Sequence, residues 1–544
     1  MPLLKAEHFS FFYPGASSPA LSDIDFELRR GEVLFVCGPT GCGKTTLLLS
    51  VKREIAPQGK RLGKIYFKGR DMDGMPDAEL TGSIGIVFQD AESQTVMDTV
   101  LSEMAFALEN LGLPSADIRK RVSEVSGFFG LSDLLAKSPH RISGGQRQMV
   151  NLCAVLALRP ELVLFDEPFS QLDPVAQDAL LNMILRANRE FGITAVISEH
   201  KTEELLPVCD RLLFMEDGKA KYLDTPANAV AAMMEAGDLA ALSFMPTPAK
   251  IYACAGITGE KAPLDLKEGR EFAHRHASLF ALAPGADYAS GGGGGAALSA
   301  SNLLFSYPES DRPVIRSLDM TVNKGDFCAI LGGNGSGKST LLKLLSGLLT
   351  PQDGRIEAGG KNIRKLRRGE LNRAAAYVPQ NPAFYFTFDT VAEELEFTGA
   401  SKTVRDELIC ALGMEGTLGM HPYDLSGGQR QKLMILCALL LSPDVLLLDE
   451  ATKGIDAVAK EELSKVLSAF VESGKTVLMA SHDIEFCARN AKRFAILFDG
   501  ALGEFQERRD FFGDSFFYNT ALSRMLGDLL PGALTLRDVV IGHG

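Results

Sequence analysis

The segment EVLFVCGPTGCGKTTLLLSV (Glu32–Val51) runs from an apolar stretch through a glycine-rich loop into a leucine-rich one, and it returns as DFCAILGGNGSGKSTLLKLL (Asp326–Leu345). The short apolar runs read as buried strands and the leucine-rich stretches as helices. The loop between them matches Gly-x-x-x-x-Gly-Lys-Ser/Thr both times. Glycines let the backbone turn tightly enough for successive N–H groups to point inward, and the following helix adds its positive end. That is a cradle for phosphate oxygens.

The cradle comprises Gly38, Pro39, Thr40, Gly41, Cys42, Gly43, Lys44, Thr45 and Thr46 in the first copy. In the second it comprises Gly332, Gly333, Asn334, Gly335, Ser336, Gly337, Lys338, Ser339 and Thr340. Lys44 and Lys338 are placed to reach β and γ phosphates, and Thr45 and Ser339 to offer a hydroxyl to Mg²⁺. Cys42 stands where the second copy has Ser336, and the chemistry requires neither side chain.

The duplication extends well beyond the loops. ISGGQRQ (Ile142–Gln148) returns as LSGGQRQ (Leu425–Gln431), LVLFDE (Leu162–Glu167) as VLLLDE (Val445–Glu450), and SEH (Ser198–His200) as ASH (Ala480–His482). The order is the same in both halves, and Ser143 and Ser426 each lie 23 residues before the aspartate of the following motif. Asp166 and Asp449 end apolar strands, where a carboxylate can hold the Mg²⁺ shell. The adjoining Glu167 and Glu450 can polarise an attacking water. One such acidic pair is common at a strand edge; two pairs in register with two phosphate loops are not.

His200 and His482 follow a further strand and should reach the γ phosphate from the same sheet edge. A lone histidine is more often structural, and it is the repetition that favours a site role. Gln89 and Gln380 close the strands IGIVFQ and AAYVPQ, placed to touch the metal or the water and to relay nucleotide state outward.

Composition sets the outer limits. The chain has 544 residues, 46% hydrophobic and 23% charged, with a net charge of −13 that argues against a general nucleic-acid binder. Its nine cysteines are dispersed, with no metal-like spacing, and read as buried free thiols of a reducing compartment. The N-terminal residues lack a secretory pattern, and no apolar run reaches the length of a membrane span; Met149–Leu158 is broken by Asn151. A cytoplasmic location follows, with membrane contact only through a partner. The expected fold class is α/β, present twice, with mainly parallel sheet cores. The expected domains are 1–240, then 241–297 as an extension of the first domain and a glycine-rich linker, then 298–544 with a C-terminal tail. The five-glycine run within Ala283–Ala297 carries the linker reading.

These motifs together resemble the ABC superfamily, and the likeness covers nearly all of both halves. It implies that each domain also carries an antiparallel β subdomain and an α-helical signature subdomain. It implies too that the two halves pair head to tail, with ATP between one half's phosphate loop and the other's signature. The signature supplies a serine hydroxyl and backbone donors at a helix N-terminus: Ser143, Gly144, Gly145 and Gln146 in the first half, and Ser426, Gly427, Gly428 and Gln429 in the second. Tyr13 in SFFYP and Tyr307 in LFSYP resemble the family's adenine-stacking aromatic, local packing on an edge strand being the alternative. The loop Lys453–Asp456 departs from the family pattern, with Ala451 where proline commonly follows the glutamate, which puts equal turnover of the two sites in question.

Within the superfamily, Asp90–Pro114 and Asn381–Phe397 are similar to the segments after the Q-loop in energy-coupling-factor transporter ATPases. That resemblance implies an ATPase, with ATP and Mg²⁺ as cofactors, docked on the inner face of the cell membrane. Its partners would be a transmembrane coupling subunit and a membrane-embedded substrate-binding subunit for a vitamin or transition-metal ion. Asp90, Glu92, Asp98 and Glu103 are candidates to pair with arginines of that partner, a solvated acidic face being the alternative. A soluble tandem ATPase of the ribosome and a sugar-importer ATPase are the competing classes. The glycine-rich linker argues against the first, and the intact Lys, Asp and Glu of both halves against the second.

Overall fold

The computed structural model describes residues 1–284, 295–308, 312–382 and 385–542. Most of the glycine-rich linker, and Ala383 and Phe384 of the second post-Q-loop segment, lie outside the described residues. The chain divides into two compact units: Met1–Ala253 with Ile257–Asp265, and Leu266–Gly544 with Cys254–Gly256.

In the first unit the central sheet has the strand order Lys219–Asp224, Arg211–Glu216, Val33–Cys37, Thr194–Ser198, Leu162–Asp166, Ile84–Val87. All neighbours are parallel except the first pair. Val33–Cys37, Thr194–Ser198 and Leu162–Asp166 are buried at every position, which is why they read as unbroken apolar runs rather than alternating ones. The phosphate-loop strand lies between strands that come late in the chain. Its carboxyl end therefore opens at a topological switch point, where open α/β sheets bind ligands.

A second, antiparallel sheet pairs Leu4–Phe12 with Leu21–Leu28 and with Lys60–Phe67. Helices Val100–Asn110, Ser115–Phe128 and Gly144–Ala157 form the signature subdomain.

The second unit repeats this plan. Its parallel strands run in the order Ala375–Val378, Val445–Asp449, Thr476–Ala480, Phe327–Leu331, Arg493–Phe498. Even the non-glycine residues held at positive φ recur: His8 and Asn302 (48° and 49°), and Glu167 and Glu450 (45° and 51°).

The stretch expected to extend the first domain is divided between the units. Residues up to 253 pack on the first unit, where Thr202 donates to the Phe244 carbonyl at 2.7 Å just beyond His200. Leu266–Arg275 and Phe280–Leu282 belong to the second. Phe280–Leu282 pairs antiparallel with Val539–Ile541, and Arg270 donates to the carbonyl of Arg524 at 2.7 Å. The chain's tail supplies the apolar face that these residues lack locally. Its helix, Ala521–Leu526, buries Leu522, Met525 and Leu526. This lobe also holds the buried ion pair Arg508–Asp538 at 2.6 Å.

Seven of the nine cysteines are buried as expected, but Cys254 and Cys410 are exposed.

Candidate ATP sites

Both phosphate loops turn where only glycine fits. Gly38 has φ of +145°, and a Cβ there would lie 2.1 Å from the Met215 carbonyl oxygen. Gly43, at +101°, opens the helix Lys44–Val51, and its Cβ would meet the Ala20 carbonyl oxygen at 2.8 Å. Gly337 opens the second helix at φ of +105°. The lysines are buried and bond back into their own loops. Lys44 Nζ reaches the carbonyls of Gly38 and Pro39 at 2.9 and 3.1 Å, and Lys338 Nζ those of Gly332 and Gly333 at 2.8 and 3.2 Å.

Thr45 Oγ1 donates to Asp166 Oδ1 at 3.0 Å, and Ser339 Oγ to Asp449 Oδ1 at the same distance. Hydroxyl and carboxylate thus meet beside the loop in each half. Burial pushes both aspartate carboxyls above their ordinary value. The hydrogen bonds of Ser198 and Thr45 oppose that shift at Asp166, as those of Ser339 and Tyr377 do at Asp449. A buried carboxylate served mainly by neutral donors, with a hydroxyl at its side, suits a divalent cation, and Mg²⁺ fits the donor set.

The two glutamates expected to polarise water, Glu167 and Glu450, are also held in both halves, but by different partners. Glu167 Oε2 accepts from Gln89 Nε2 at 3.0 Å, and Glu167 Oε1 lies 2.9 Å from His200 Nε2. Glu450 Oε2 lies 2.7 Å from His482 Nδ1 and accepts from the His482 backbone N–H at 3.1 Å; its Oε1 is 3.7 Å from Lys338 Nζ. Burial alone would raise the Glu450 carboxyl, yet the bond to His482 and the His482 and Lys338 charges hold it below its ordinary value. Gln380 is exposed, and among the described residues it makes no hydrogen bond to Glu450, whereas Gln89 bonds Glu167.

Each signature serine starts a helix through a capping box. Gln146 N–H donates to Ser143 Oγ at 3.2 Å while Ser143 N–H donates to Gln146 Oε1 at 3.1 Å. Ser426 and Gln429 repeat this at 3.3 and 3.0 Å. The Gly144 and Gly427 N–H groups follow at the same N-termini. A Cβ on Gly145 would lie 2.6 Å from that of Ala176, so Gly145 also serves packing.

Tyr13 and Tyr307 are partly exposed, with their hydroxyls 3.0 and 3.2 Å from Thr46 and Thr340 Oγ1. Each ring also packs edge-on against a phenylalanine, Phe11 or Phe305. The tyrosines therefore flank the phosphate loops while keeping local packing.

The post-Q-loop acids behave less uniformly than their sequence suggests. Glu103 is buried and accepts from the Val96 and Met97 N–H groups at 3.0 and 2.8 Å, which removes it as a candidate for a partner's arginine. Asp90 caps Ala91–Gln94, and Glu92 lies 3.3 Å from Arg147. Of the four, Asp98 alone is exposed with no ion pair or hydrogen bond among the described residues.

Four residues of these sites were missed by the sequence reading. Ser198 Oγ donates to Asp166 Oδ1 at 2.9 Å, and Tyr377 Oη to Asp449 Oδ2 at 2.9 Å. Buried Glu199 accepts from the His200 and Phe169 N–H groups at 2.9 and 3.2 Å, whereas Ser481 at the equivalent place donates to Glu450 Oε2 at 3.3 Å. The available signal was the mismatch within an otherwise repeated motif, SEH against ASH.

Two strand–loop–helix cradles, each facing an Asp–Glu pair on the same sheet edge, define a tandem P-loop ATPase. The family model described as ABC transporter matches residues 21–170 and 315–453. A provisionally named ABC transporter ATP-binding protein of Bacillus thuringiensis subsp. konkukian is 38% identical over 98% of this chain and 97% of its own length. A provisionally named HMP/thiamine import ATP-binding protein of Bacillus subtilis is 30% identical over 92% of this chain and 90% of its own. The solved structure of cbiO1 from Clostridium perfringens, part of the ABC transporter complex cbiONQ, is 30% identical, covering 44% of this chain and 95% of that one at a TM-score of 0.39. The chain belongs to the ABC transporter family, as an ATP-binding subunit that binds ATP with Mg²⁺ and hydrolyses it.

Proposed function

We propose that the chain energises an energy-coupling-factor type importer for a vitamin or a transition-metal ion, docked from the inner face of the membrane on a transmembrane coupling subunit. The observation that carries this reading is the pair of segments following Gln89 and Gln380. Each leads into a capped helix, and large apolar side chains are left in solvent: Val96 before the first helix and Leu101 on it, 62% and 48% exposed, and Phe397 on the second, 77% exposed. Apolar groups beside the nucleotide-sensing strands suit a coupling surface rather than a solvated face. The name of the Bacillus subtilis relative supports a vitamin as cargo. Among the described residues no helix is long and apolar enough to cross a membrane, so this reading requires a separate membrane subunit.

In this reading Lys44 and Lys338 exchange their loop carbonyls for phosphate oxygens, and Tyr13 and Tyr307 stack on adenine. Thr45, Gln89 and Asp166 would hold Mg²⁺ in one site, and Ser339, Gln380 and Asp449 in the other, where the ion would supply positive charge against the phosphates. His200 and His482 contact the γ phosphate, and the signatures led by Ser143 and Ser426 complete the sites. Water attacks the γ phosphorus, and its proton passes to Glu167 or Glu450. The bond to the β-phosphate oxygen breaks, and its electron pair leaves on ADP.

Two measurements test this reading. Affinity purification should recover small integral membrane proteins, and recovery of ribosomes without them would overturn the transporter assignment. The Glu167→Gln/Glu450→Gln chain should bind Mg-ATP while hydrolysing it about a hundredfold or more slower. Unchanged hydrolysis would reject both glutamates as bases.

A further inference from the structure

The two catalytic glutamates share one backbone pose. Both sit at positive φ, and their N–H groups donate to the carbonyls of Ser198 and Ala480 at 3.0 and 2.9 Å. Their side chains nevertheless take different partners, and the cause lies one residue before each histidine. In the first half, Glu199 is 2% exposed and its two oxygens accept the N–H groups of His200 and Phe169. The donor behind Glu167 is thereby occupied, and Glu167 turns to Gln89 and His200 Nε2. In the second half, the Ser481 hydroxyl cannot take that place. The His482 N–H and Ser481 Oγ both donate to Glu450 Oε2, and the side chain is drawn inward to 6% exposure against 16% for Glu167.

We propose that Glu199 and Ser481 are positioning residues that make the two ATP sites unequal, Glu199 releasing Glu167 to act on the attacking water and Ser481 keeping Glu450 retracted. The proposal rests on reading Glu167 and Glu450 as the bases. A water-directed base must leave its resting hydrogen bonds before it can accept a proton, and the His482 N–H and Ser481 hydroxyl bonds hold Glu450 turned inward.

The test exchanges the two residues in the full chain and measures Mg-ATP hydrolysis and binding. Glu199→Ser should lower kcat about tenfold, the order expected for one misplaced charge-assisted hydrogen bond, with KM within about twofold. Ser481→Glu should raise kcat. In the doubly exchanged chain the sensitivity should invert, with Glu450→Gln becoming the more damaging of the two glutamine substitutions. A merely structural role for Glu199 would depress kcat without that inversion. The isosteric Glu199→Gln, which keeps the volume and loses one acceptor, should fall between parent and Glu199→Ser. The proposal is overturned if kcat is unmoved by Glu199→Gln and Glu199→Ser, or if the ranking fails to invert in a folded double exchange. If instead the Glu167→Gln/Glu450→Gln chain hydrolyses ATP normally, the underlying assignment of the bases fails.

Discussion

The buried aspartate of each half receives two hydroxyl hydrogen bonds, but the donors come from different places. In the first half Thr45 and Ser198 both donate to Asp166 Oδ1. In the second, Ser339 donates to Asp449 Oδ1 and Tyr377 to Oδ2. Ala480, at the position of Ser198, has no hydroxyl to give, and Tyr377, at the position of Ile86, supplies one from the neighbouring strand. The need of a buried carboxylate for donors has been preserved while its source has moved. The glutamates behave otherwise: Ser481, at the position of Glu199, donates to Glu450 instead of accepting the His482 N–H. Two halves built on one plan have kept their phosphate cradles alike and let the surroundings of Glu167 and Glu450 diverge.

The largest expected effect on that comparison concerns the lobe that sets the second unit apart. Arg508 and Asp538 are buried, and Asp538 also accepts from the N–H groups of Leu534 and Thr535. Asp538→Ala removes the counter-charge of a buried guanidinium and should cost about 3–5 kcal/mol. Denaturant unfolding should show the second unit's transition shifted and the first unit's unmoved; a shift of the first alone would contradict the division. Next in size, Tyr377→Phe leaves Asp449 without one donor and should destabilise the second unit by about 1.5–3 kcal/mol. Ser198→Ala should do the same to the first, and adding Ala480→Ser should recover part of the loss in the Tyr377→Phe chain. No recovery would mean that the two donors are not interchangeable. Smallest, Ser143→Ala and Ser426→Ala each remove one helix cap worth about 1 kcal/mol. Equal losses would mark the capping boxes as a feature the halves still share.

The phosphate loops were legible because their information is local: a buried run, glycines at fixed intervals and a helix follow one another within twenty residues. The parallel core was legible for a related reason, since strands covered on both faces are uniformly apolar. Glu103 and Glu199 were not. A carboxylate that turns inward onto backbone N–H groups looks, in sequence, like one facing water or a partner. Nor was the place of Phe280–Leu282, whose partner strand lies at the other end of the second unit. Tyr377 reads as an ordinary strand aromatic, and only the adjoining strand reveals what its hydroxyl meets. Contacts made by side chains across distant segments are the part that periodicity cannot carry.

The proposed inequality of Glu167 and Glu450 is tested most directly by comparing Glu450→Gln with Glu167→Gln in single-turnover hydrolysis at saturating Mg-ATP. The account predicts that Glu450→Gln keeps most of the parent rate and that Glu167→Gln loses most of it, with nucleotide binding preserved in both. Equal losses, or a greater loss in Glu450→Gln, would contradict it.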